Sequence, residues 1–451
     1  MKILILESTP ATPHAETALE IGIKESIAGS KVTYSPIFHL LPRLLWRSNI
    51  NGNNSSGKRD SLVEWLNFLV NIISKYSQID IPNNFDIMNI KNLKEIQKDP
   101  LNFIYDGQPF GKLVFANAVE ITRETNLEVI KNNRDLCMEL ALTAIITYEI
   151  SKNLIAKHKP DKVVFFNGRT IETYPIYIAT LKLGVNILIH ERGPTKNHFT
   201  LWSSPPQYID SYANQIRSFS LGRNQDGRTL SAAIFYERQR NANLSTFQYI
   251  NNKQNHNIEI SFPNLHENFI VFFSSSNWEI ELIPDQDLSN GLGTQYEAVE
   301  KLSDICKLNN IQLVIRLHPN SSKSEVDLFT LISKKNYDLI ILPNDTISSY
   351  NLGMKALRIF TYSSTISWEF MYKNIGCGIL AKSIGSNFDG VIELNDIESI
   401  TDYITNDLKP INKYFPIILA DFLHNYGERY DYYNAETLFS GTFNLNLARA
   451  V

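Results

Sequence analysis

Short β-rich runs alternate with helical windows along the second half of the chain, and this alternation constrains the fold more than any other feature of the sequence. The predicted strands are 268-NFIVFFSS-275, 312-QLVIRLH-318, 338-DLIILP-343, 357-LRIFTY-362, 376-GCGILA-381 and 390-GVIEL-394. Helical windows are predicted between them near 295–309, 324–335, 365–373 and 397–405. Regular alternation of this kind is typical of βαβ units around a parallel sheet.

The first half begins in the same way, with strands 2-KILIL-6 and 31-KVTYSPI-37 on either side of a helix from His14. Further strands are predicted at 162-KVVFFN-167 and 185-VNILIH-190, and an amphipathic helix at 61–76.

A chain of 451 residues exceeds the roughly 250–300 residues that one hydrophobic core usually serves. We therefore predict an α/β protein with two Rossmann-like domains that face a central cleft. The predicted boundary lies in the polar stretch 250–264, which gives domains 1–255 and 256–430. Residues 431–451 are expected to cross back to the first domain.

Bulk composition excludes several classes of function. The formal net charge of -4 and the isoelectric point near 6.2 argue against a nucleic-acid partner, which needs clustered Lys and Arg. The 3 cysteines have no CxxC spacing, so neither a disulfide framework nor a zinc site is indicated, and a reducing cytosol fits best. No apolar run is long enough to span a membrane. The segment 38-FHLLPRLLWRS-48 could lie on a membrane surface, although a partly buried helix-turn segment has the same pattern.

Three predicted strand ends in the second domain carry small polar residues. The turns are 274-SSSN-277, 316-RLHPN-320 and 362-YSST-365. Because parallel strands end at one edge of a sheet, these turns should converge on a ligand site. Ser363, Ser364 and Thr365 lead into a helix whose first N–H groups favour a phosphate, while the alternative is a simple N-cap. His318 could hydrogen-bond a phosphate or, when protonated, neutralise it, or it could be structural or simply solvated.

The first domain has its own polar strand ends. Glu191, followed by Arg192 and Gly193, could accept a proton from a hydroxyl group if burial raised its pKa, and a plain surface turn is the equal alternative. Arg169 ends the preceding unit and could add positive charge. The loop before the first helix brings His14 and Glu16, of which Glu16 is also explained by the helix dipole.

Several other chemistries are disfavoured by missing motifs. The sequence contains no HExxH, Walker A, GxSxG or GxGxxG motif, which argues against zincins, P-loop NTPases, typical α/β-hydrolases and NAD binding. Asp285 and Asp287 form the only D-x-D string, and a plain loop explains it as well as a metal site does. No metal is expected.

The acidic-x-Gly turn at Glu191–Gly193, the His318–Pro319 pair and the serine turn at 363–365 occur in that order across two α/β halves. This combination resembles the bacterial capsule and surface-polysaccharide glycosyltransferases of GT-B type, including Kdo transferases and bacterial sialyltransferases. Teichoic-acid glycerophosphotransferases carry similar His-Pro and Ser-Ser turns. In the usual pattern two adjacent acids precede the glycine, whereas Arg192 takes the second place here.

The resemblance implies an inverting, metal-independent transfer from a CMP-sugar, such as CMP-Kdo or CMP-sialic acid, to a surface-polysaccharide, glycan or lipid-linked saccharide. It implies a bacterial enzyme of the cytoplasm, with contact at the inner membrane face considered as well. It makes the first domain acceptor-binding and the second domain nucleotide-sugar-binding. Glu191 and His14 are the expected catalytic residues, and the expected acceptor contacts are Arg169, Arg192, Gly193 and Glu16. The expected donor contacts are Arg316, His318, Pro319, Asn320, Ser275, Ser276, Ser363, Ser364, Thr365 and, for the ribose, Glu369.

Two alternatives stay open. One is a UDP-sugar transferase or 2-epimerase of the same fold, where an epimerase converts the sugar nucleotide without any acceptor. The other is a non-catalytic capsule-assembly protein.

Overall fold

The computed structural model describes residues 1–45, 76–82, 85, 90, 92–240, 265–277, 286–336, 338–406, 411–437 and 440–444. The chain divides into two compact units. Of the described residues, Met1–Ser211 and those from Tyr426 onward belong to the first unit, and those between Tyr212 and Asn425 belong to the second.

The sheet of the first unit has seven strands in the order β3-β2-β1-β4-β5-β6-β13. These strands are β1 Lys2–Glu7, β2 Lys31–Pro36, β3 Gln78–Ile79, β4 Lys162–Phe166, β5 Asn186–Arg192, β6 His198–Trp202 and β13 Glu428–Arg429. Strands β1 to β5 pair in parallel, whereas β6 is antiparallel to both β5 and β13. A separate hairpin joins β14 Tyr433–Ala435 to β15 Gly441–Phe443.

The described helices of the first unit surround this sheet. They are α1 His14–Ile27, α2 Leu93–Lys98, α3 Phe110–Thr122, α4 Leu127–Asn132, α5 Arg134–His158 and α6 Tyr174–Lys182, with a short 3-10 turn at Phe38–Leu40. Helix α7, Ile209–Leu221, begins at the end of the first unit and continues into the second.

The sheet of the second unit has six parallel strands in the order β12-β11-β10-β7-β8-β9. They are β7 Phe269–Phe273, β8 Gln312–Arg316, β9 Leu339–Ile341, β10 Arg358–Thr361, β11 Cys377–Ile379 and β12 Ile392–Glu393. The described helices are α8 Gln225–Arg240, α9 Gln295–Leu308, α10 Lys323–Asn336, α11 Ser349–Lys355, α12 Ile366–Tyr372, α13 Ile397–Thr405 and α14 Tyr414–Asn425.

Both sheets have the doubly wound strand order. Counted along the chain within each unit, the first six strands of each sheet lie in the order 3-2-1-4-5-6. The central strands are apolar and fully buried, as β7 shows with its sequence FIVFF, because helices cover both faces of such sheets. The prediction of an α/β protein with two Rossmann-like halves is confirmed. In this topology ligands bind beyond the carboxyl ends of the strands, where the strand order reverses. That point lies between β1 and β4 in the first unit and between β7 and β10 in the second.

The division into units differs from the predicted boundary near residue 255. Helix α8, which the sequence placed in the first domain, packs against α14 in the second unit. Ala232, Phe235 and Tyr236 form a buried cluster with Ala420 there. The predicted boundary stretch 250–264 and most of the predicted helix at 61–76 lie outside the described residues.

Residues after α14 return to the first unit. The Tyr430 hydroxyl lies 2.7 Å from Oγ1 of Thr17 on α1. The buried Glu20 carboxylate accepts the backbone N–H groups of Asp431, Tyr432 and Tyr433 at 2.6–3.2 Å. These bonds attach the last described segment to α1.

Among the described helices, none combines the length and the apolar character that crossing a bilayer requires. The segment considered for membrane-surface contact is described as far as Leu45. Within it, Phe38, Leu41, Leu44 and Leu45 are buried in the protein. Their apolar side chains therefore serve the core, and the described part of this segment does not offer them to lipid.

Candidate functional site

Three predicted turns of the second unit meet at its switch point. Oγ of Ser274, after β7, accepts the backbone N–H of His318, after β8, at 2.8 Å. Oγ of Ser275 accepts the backbone N–H of Ser363, after β10, at 3.2 Å. Three segments that are distant in sequence are thus hydrogen-bonded together at one edge of the sheet.

Gln295 fixes the loop after β7, and the sequence analysis did not identify it. Its Oε1 accepts the N–H of Ser275 at 2.7 Å, and its Nε2 donates to the Ser275 carbonyl at 3.0 Å and to Oδ1 of Asn277 at 2.6 Å. Gln295 is the first residue of α9 and lies within the capping box that Thr294 and Glu297 form. That capping box is visible in the sequence, but the direction of the glutamine side chain is not.

Glu325 performs a similar task on the other side of the same loop. Its carboxylate is fully buried and accepts the N–H groups of Asn277 and Ser322, each at 2.5 Å. The loops after β7 and β8 are therefore joined through one side chain, so both are held in a defined position before any ligand arrives.

Two hydroxyl groups in these loops have no partner. Oγ of Ser276 and Oγ of Ser321 are buried and make no hydrogen bond within the described part of the chain. Ser276 as a whole is only 1% exposed. A buried polar group without a partner costs about 1–3 kcal/mol, so such groups in a native structure call for a bound ligand or water. They mark the place where a polar ligand would be held.

His318 is neutral in this setting. Burial lowers its pKa to about 4, and its Nδ1 accepts the N–H of Asn320 at 3.2 Å. An imidazole whose Nδ1 is an acceptor carries its proton on Nε2. At neutral pH the imidazole is therefore uncharged in this structure, and the contact that it can offer a phosphate is a hydrogen bond from Nε2–H, one of the two roles considered for it. Pro319 lies within a turn that the N–H of Ser321 closes on the His318 carbonyl at 2.9 Å.

Arg316 does not serve the ligand site, in contrast to the prediction. The residue is 3% exposed, and its guanidinium donates to the carbonyl groups of Leu342 at 2.7 Å and Asp345 at 3.0 Å. Desolvation by burial lowers its pKa. The side chain instead supports the loop after β9.

The serine turn after β10 leads into a helix of only seven residues, α12, so the dipole contribution expected from a longer helix is small. Thr365 is exposed, has helical backbone angles and makes no capping hydrogen bond. The Ser364 carbonyl accepts a hydrogen bond from Oγ of Ser367 at 2.6 Å. The N-cap alternative is therefore not seen for Thr365, whose hydroxyl does not bond the helix backbone.

Glu369 lies one turn into α12 and is paired with Tyr350, whose hydroxyl donates to its carboxylate. Burial raises the pKa of Glu369 to about 7, and the nearby Lys373 lowers it by a smaller amount. A carboxyl group that titrates near neutrality can either donate or accept a hydrogen bond, which suits a ligand hydroxyl.

In the first unit, Glu191 occupies the end of β5. Its Oε2 accepts a hydrogen bond from Nδ2 of Asn167 at 2.6 Å, and its Oε1 accepts one from the backbone N–H of Arg192 at 2.9 Å. Burial raises the pKa of Glu191, against the hydrogen bonds and the nearby charges of Arg192 and Arg169. Asn167 follows β4 with a left-handed backbone. The ends of β4 and β5 are thus joined through the expected base.

Gly193 has a structural explanation. Strand β5 does not end at His190 but continues through Arg192 and pairs with β6, with Glu191 opposite Thr200. A Cβ at Gly193 would lie 2.5 Å from Cβ of His198, so only glycine fits the hairpin. This close approach accounts for the glycine by backbone geometry, and the acceptor contact predicted for Gly193 stays a prediction.

Arg169 is not an available positive charge. Its guanidinium forms a two-point ion pair with Glu120 at 2.9 and 3.3 Å, and both side chains are largely buried. Sequence reasoning missed Glu120, which lies on α3. The fully buried Glu172 lies close by, and burial raises its pKa to about 7.

The end of β1 and the start of α1 place three titratable groups in the interior. His14 stacks on Phe166 with 3.6 Å between ring centroids, and burial lowers its pKa well below the usual value. Burial raises the pKa of Glu16 and brings that of Glu7 to about 8. Glu7 was not identified from the sequence, where it follows the strand like any surface acid. His14 is a neutral imidazole, as a proton acceptor must be.

Unsatisfied polar atoms also gather at this edge of the first sheet. In the described part of the chain, buried atoms without a hydrogen-bond partner include Ser8 Oγ, Thr9 Oγ1, Glu16 Oε2 and His190 Nδ1. They belong to the loop after β1, the start of α1 and the end of β5. Their grouping beside the switch point leaves polar atoms there that a ligand or water could satisfy.

Among the described residues, no cluster of three His, Cys, Asp or Glu side chains is arranged to hold a metal ion. Asp285 lies outside the described residues. The Asp287 carboxylate accepts the N–H of Ser289 at 2.8 Å, as in an ordinary turn.

No protein-family model matches the chain, and no curated protein matches it. Among solved structures, the beta Kdo 2,4 transferase KpsC of Thermosulfurimonas dismutans is 11% identical over 58% of this chain and 79% of its own, with a TM-score of 0.40. UDP-GlcNAc 2-epimerase of Methanocaldococcus jannaschii, in complex with UDP-GlcNAc and UDP, is 13% identical over 94% and 99%, with a TM-score of 0.30. The Neisseria meningitidis enzyme of the same name is 14% identical over 100% and 98%, with a TM-score of 0.28. The fold assignment itself is based on strand order and pairing.

Proposed function

We propose that the chain is a nucleotide-sugar-dependent glycosyltransferase, with a CMP-sugar as the favoured donor and a glycan or lipid-linked saccharide as the acceptor. One observation carries the proposal. The turns after β7, β8 and β10 are hydrogen-bonded together at the switch point of the second unit and present buried, unpartnered hydroxyl groups. This is the position at which doubly wound sheets bind nucleotides.

The donor would be held by neutral groups. Oγ of Ser276, Oγ of Ser321 and Nε2–H of His318 can donate to phosphate oxygens, and Glu369 can bond a ribose hydroxyl. Donors fixed in place before the reaction stabilise a developing negative charge without further rearrangement. The bonds from Gln295 and Glu325 supply that rigidity.

The acceptor would be activated in the first unit. Glu191, with its raised pKa, or His14, a neutral imidazole, takes the proton of the acceptor hydroxyl. The acceptor oxygen then bonds to the anomeric carbon, while the bond from that carbon to the phosphate oxygen breaks. The nucleotide leaves with the electron pair.

The proposal is tested by thermal-shift measurements with CMP, CDP, UDP and GDP. A ligand at 100 times its Kd adds about 2.7 kcal/mol to the free energy of unfolding. We expect CMP to stabilise the wild type, and this effect to be lost in His318→Ala and Ser276→Ala. Because Ser276 Oγ has no partner within the described residues, Ser276→Ala should not lower stability without nucleotide. His266→Ala, an exposed histidine of the same unit, is the matched control.

The other outcomes decide between the alternatives. If UDP stabilises the protein and CMP does not, the donor is a UDP-sugar and not a CMP-sugar. If that UDP-sugar is converted without any acceptor, the protein is a 2-epimerase. No response to any of the four nucleotides overturns the proposal in favour of a non-catalytic capsule-assembly protein.

A further inference from the structure

A cavity of about 470 Å³, partly open to solvent, lies in the first unit and is lined by residues to which the candidate site assigns no role. It is lined by Thr195, Asn197, His198, Arg429, Tyr430, Tyr433 and Asn434. Its volume falls in the range of small-ligand sites, roughly 300–1,000 Å³.

Its walls come from the β5–β6 turn and the carboxy-terminal segment. Strand β13 pairs with β6, with Arg429 opposite His198. The buried Glu20 carboxylate accepts the N–H groups of residues 431–433, which fixes the chain that follows. The cavity is thus formed by residues 195–198 and 429–434, two segments that are distant in sequence and are held side by side by strand pairing.

The lining has the chemistry that sugars require. Asn197, Asn434 and Thr195 carry groups that both donate and accept hydrogen bonds, as sugar hydroxyls do. The rings of Tyr430 and Tyr433 offer aromatic surface with a polar end. Tyr433 is 4% exposed, and its hydroxyl makes no hydrogen bond in the described part of the chain. A buried hydroxyl in this state indicates a missing polar partner.

Arg429 adds a positive charge. Its Nε donates to Nε2 of His198 at 3.4 Å, and no ion pair between its guanidinium and a carboxylate of the described residues is found within 4.0 Å. The neighbouring carboxylates of Glu20, Glu428 and Asp431 all contact Lys24, at 3.0–4.0 Å. A guanidinium in this position can bind a carboxylate of a ligand through two parallel hydrogen bonds.

We infer that this cavity binds a saccharide that carries a carboxylate group. The Tyr430 hydroxyl bonds to Thr17, the residue after Glu16. The cavity therefore adjoins the proposed acceptor site. If the proposed function holds, on which this second part depends, the bound saccharide is part of the acceptor.

Saturation-transfer NMR with methyl glucuronide, and with methyl glucoside as its neutral counterpart, tests the inference. We expect the wild type to bind methyl glucuronide at least tenfold more tightly, since its carboxylate can form two charge-assisted hydrogen bonds with Arg429 that the neutral sugar cannot form. The Arg429→Gln variant should lose this preference for methyl glucuronide, and the Tyr433→Phe variant should bind both sugars more weakly. Arg134→Gln is the control, because this exposed arginine of the same unit only contacts the Gln97 carbonyl.

Equal binding of the two sugars by the wild type would overturn the carboxylate assignment, and no binding of either would overturn the site. Loss of binding in Arg134→Gln as well would show that the effect is not local. Nucleotide thermal shifts on the same wild-type sample separate the two proposals. Glucuronide binding without any nucleotide response contradicts the transferase but keeps the cavity, and the reverse result contradicts the cavity alone.

Discussion

Gln295 lies against the backbone of Ser275 and bonds both its N–H, at 2.7 Å, and its carbonyl, at 3.0 Å. Ser275 follows the last residues of β7, where pairing with the neighbouring strands ends. The Gln295 amide takes the place of a neighbouring strand as the hydrogen-bond partner of these backbone groups. It thereby fixes the loop beside the candidate donor site. The candidate donor site therefore depends on a side chain that need not touch the donor.

Replacement of this amide should weaken both the loop and nucleotide binding. In Gln295→Leu, the two backbone groups of Ser275 lose their partner, which should lower the free energy of unfolding by about 3 kcal/mol. The dissociation constant of the stabilising nucleotide should rise about tenfold. Urea unfolding and nucleotide titration measure the two effects, and Gln225→Leu, at an exposed position of α8, should change neither.

Glu191 is predicted to act on the rate and not on donor binding. Glu191→Gln keeps an oxygen for the Arg192 N–H but cannot take a proton, so transfer should slow by about 10²–10⁴-fold. The transfer rate is measured as the release of CMP from CMP-Kdo or CMP-sialic acid in the presence of a saccharide acceptor. Glu398→Gln, an exposed acid of α13, is the control. If His14→Gln is inactive while Glu191→Gln stays active, the base is His14.

The ion pair between Arg169 and Glu120 should contribute to stability. Both side chains are largely buried, at 14% and 12% exposure, so Glu120→Gln leaves a charged group without its partner and should cost about 3 kcal/mol. Removal of both charges, in Glu120→Leu with Arg169→Leu, should recover much of that loss. The exposed pair of Glu128 and Lys131 provides the comparison, and Glu128→Gln should cost less than about 1 kcal/mol. Equal losses for the two glutamine variants would contradict the prediction.

Glu7 should make stability fall as the pH rises. Its folded pKa of about 8 lies above the usual 4.5, so the folded state binds this proton more tightly than the unfolded state does. The contribution of this group to the free energy of unfolding is fully present below pH 4.5. It is lost progressively as the pH rises to about 8, by no more than about 1.4 kcal/mol per pH unit. Glu7→Gln should remove this slope, and the exposed Glu95→Gln should keep it. Urea unfolding between pH 5 and pH 8 measures both.

Gly193 should matter for the hairpin and not for the donor. Alanine would bring a Cβ within 2.5 Å of His198 Cβ and should lower the free energy of unfolding by about 1–3 kcal/mol. The nucleotide shift should be unchanged. Gly222, where an added Cβ meets nothing within 4 Å, is the matched control, and Gly222→Ala should not destabilise. A normal stability for Gly193→Ala would instead support a functional reason for the glycine.

Much of the fold could be predicted because strands such as β7 are uniformly apolar and helices such as α9 begin with a recognisable cap. The convergence of Ser275, His318 and Ser363 could also be predicted, since parallel strands end at one edge of a sheet. These features depend on local sequence and on a general rule of topology.

The partners of the polar side chains could not be predicted in this way. Arg316 reads as a ligand contact, but it turns to carbonyl groups 26 and 29 residues further along the chain. Glu120 lies 49 residues from the arginine that it neutralises, and α8 joins the second unit through contacts with α14. Such pairings arise only when separate elements pack together.

The sequence by itself thus determined the elements, the parallel sheets and the edge at which the candidate site lies, because burial and periodicity act over a few residues. The tertiary structure decided which of the polar residues at that edge remain available. A charged or amide group in the interior must find a partner, and only packing brings that partner within 3 Å or leaves the group unsatisfied for a ligand.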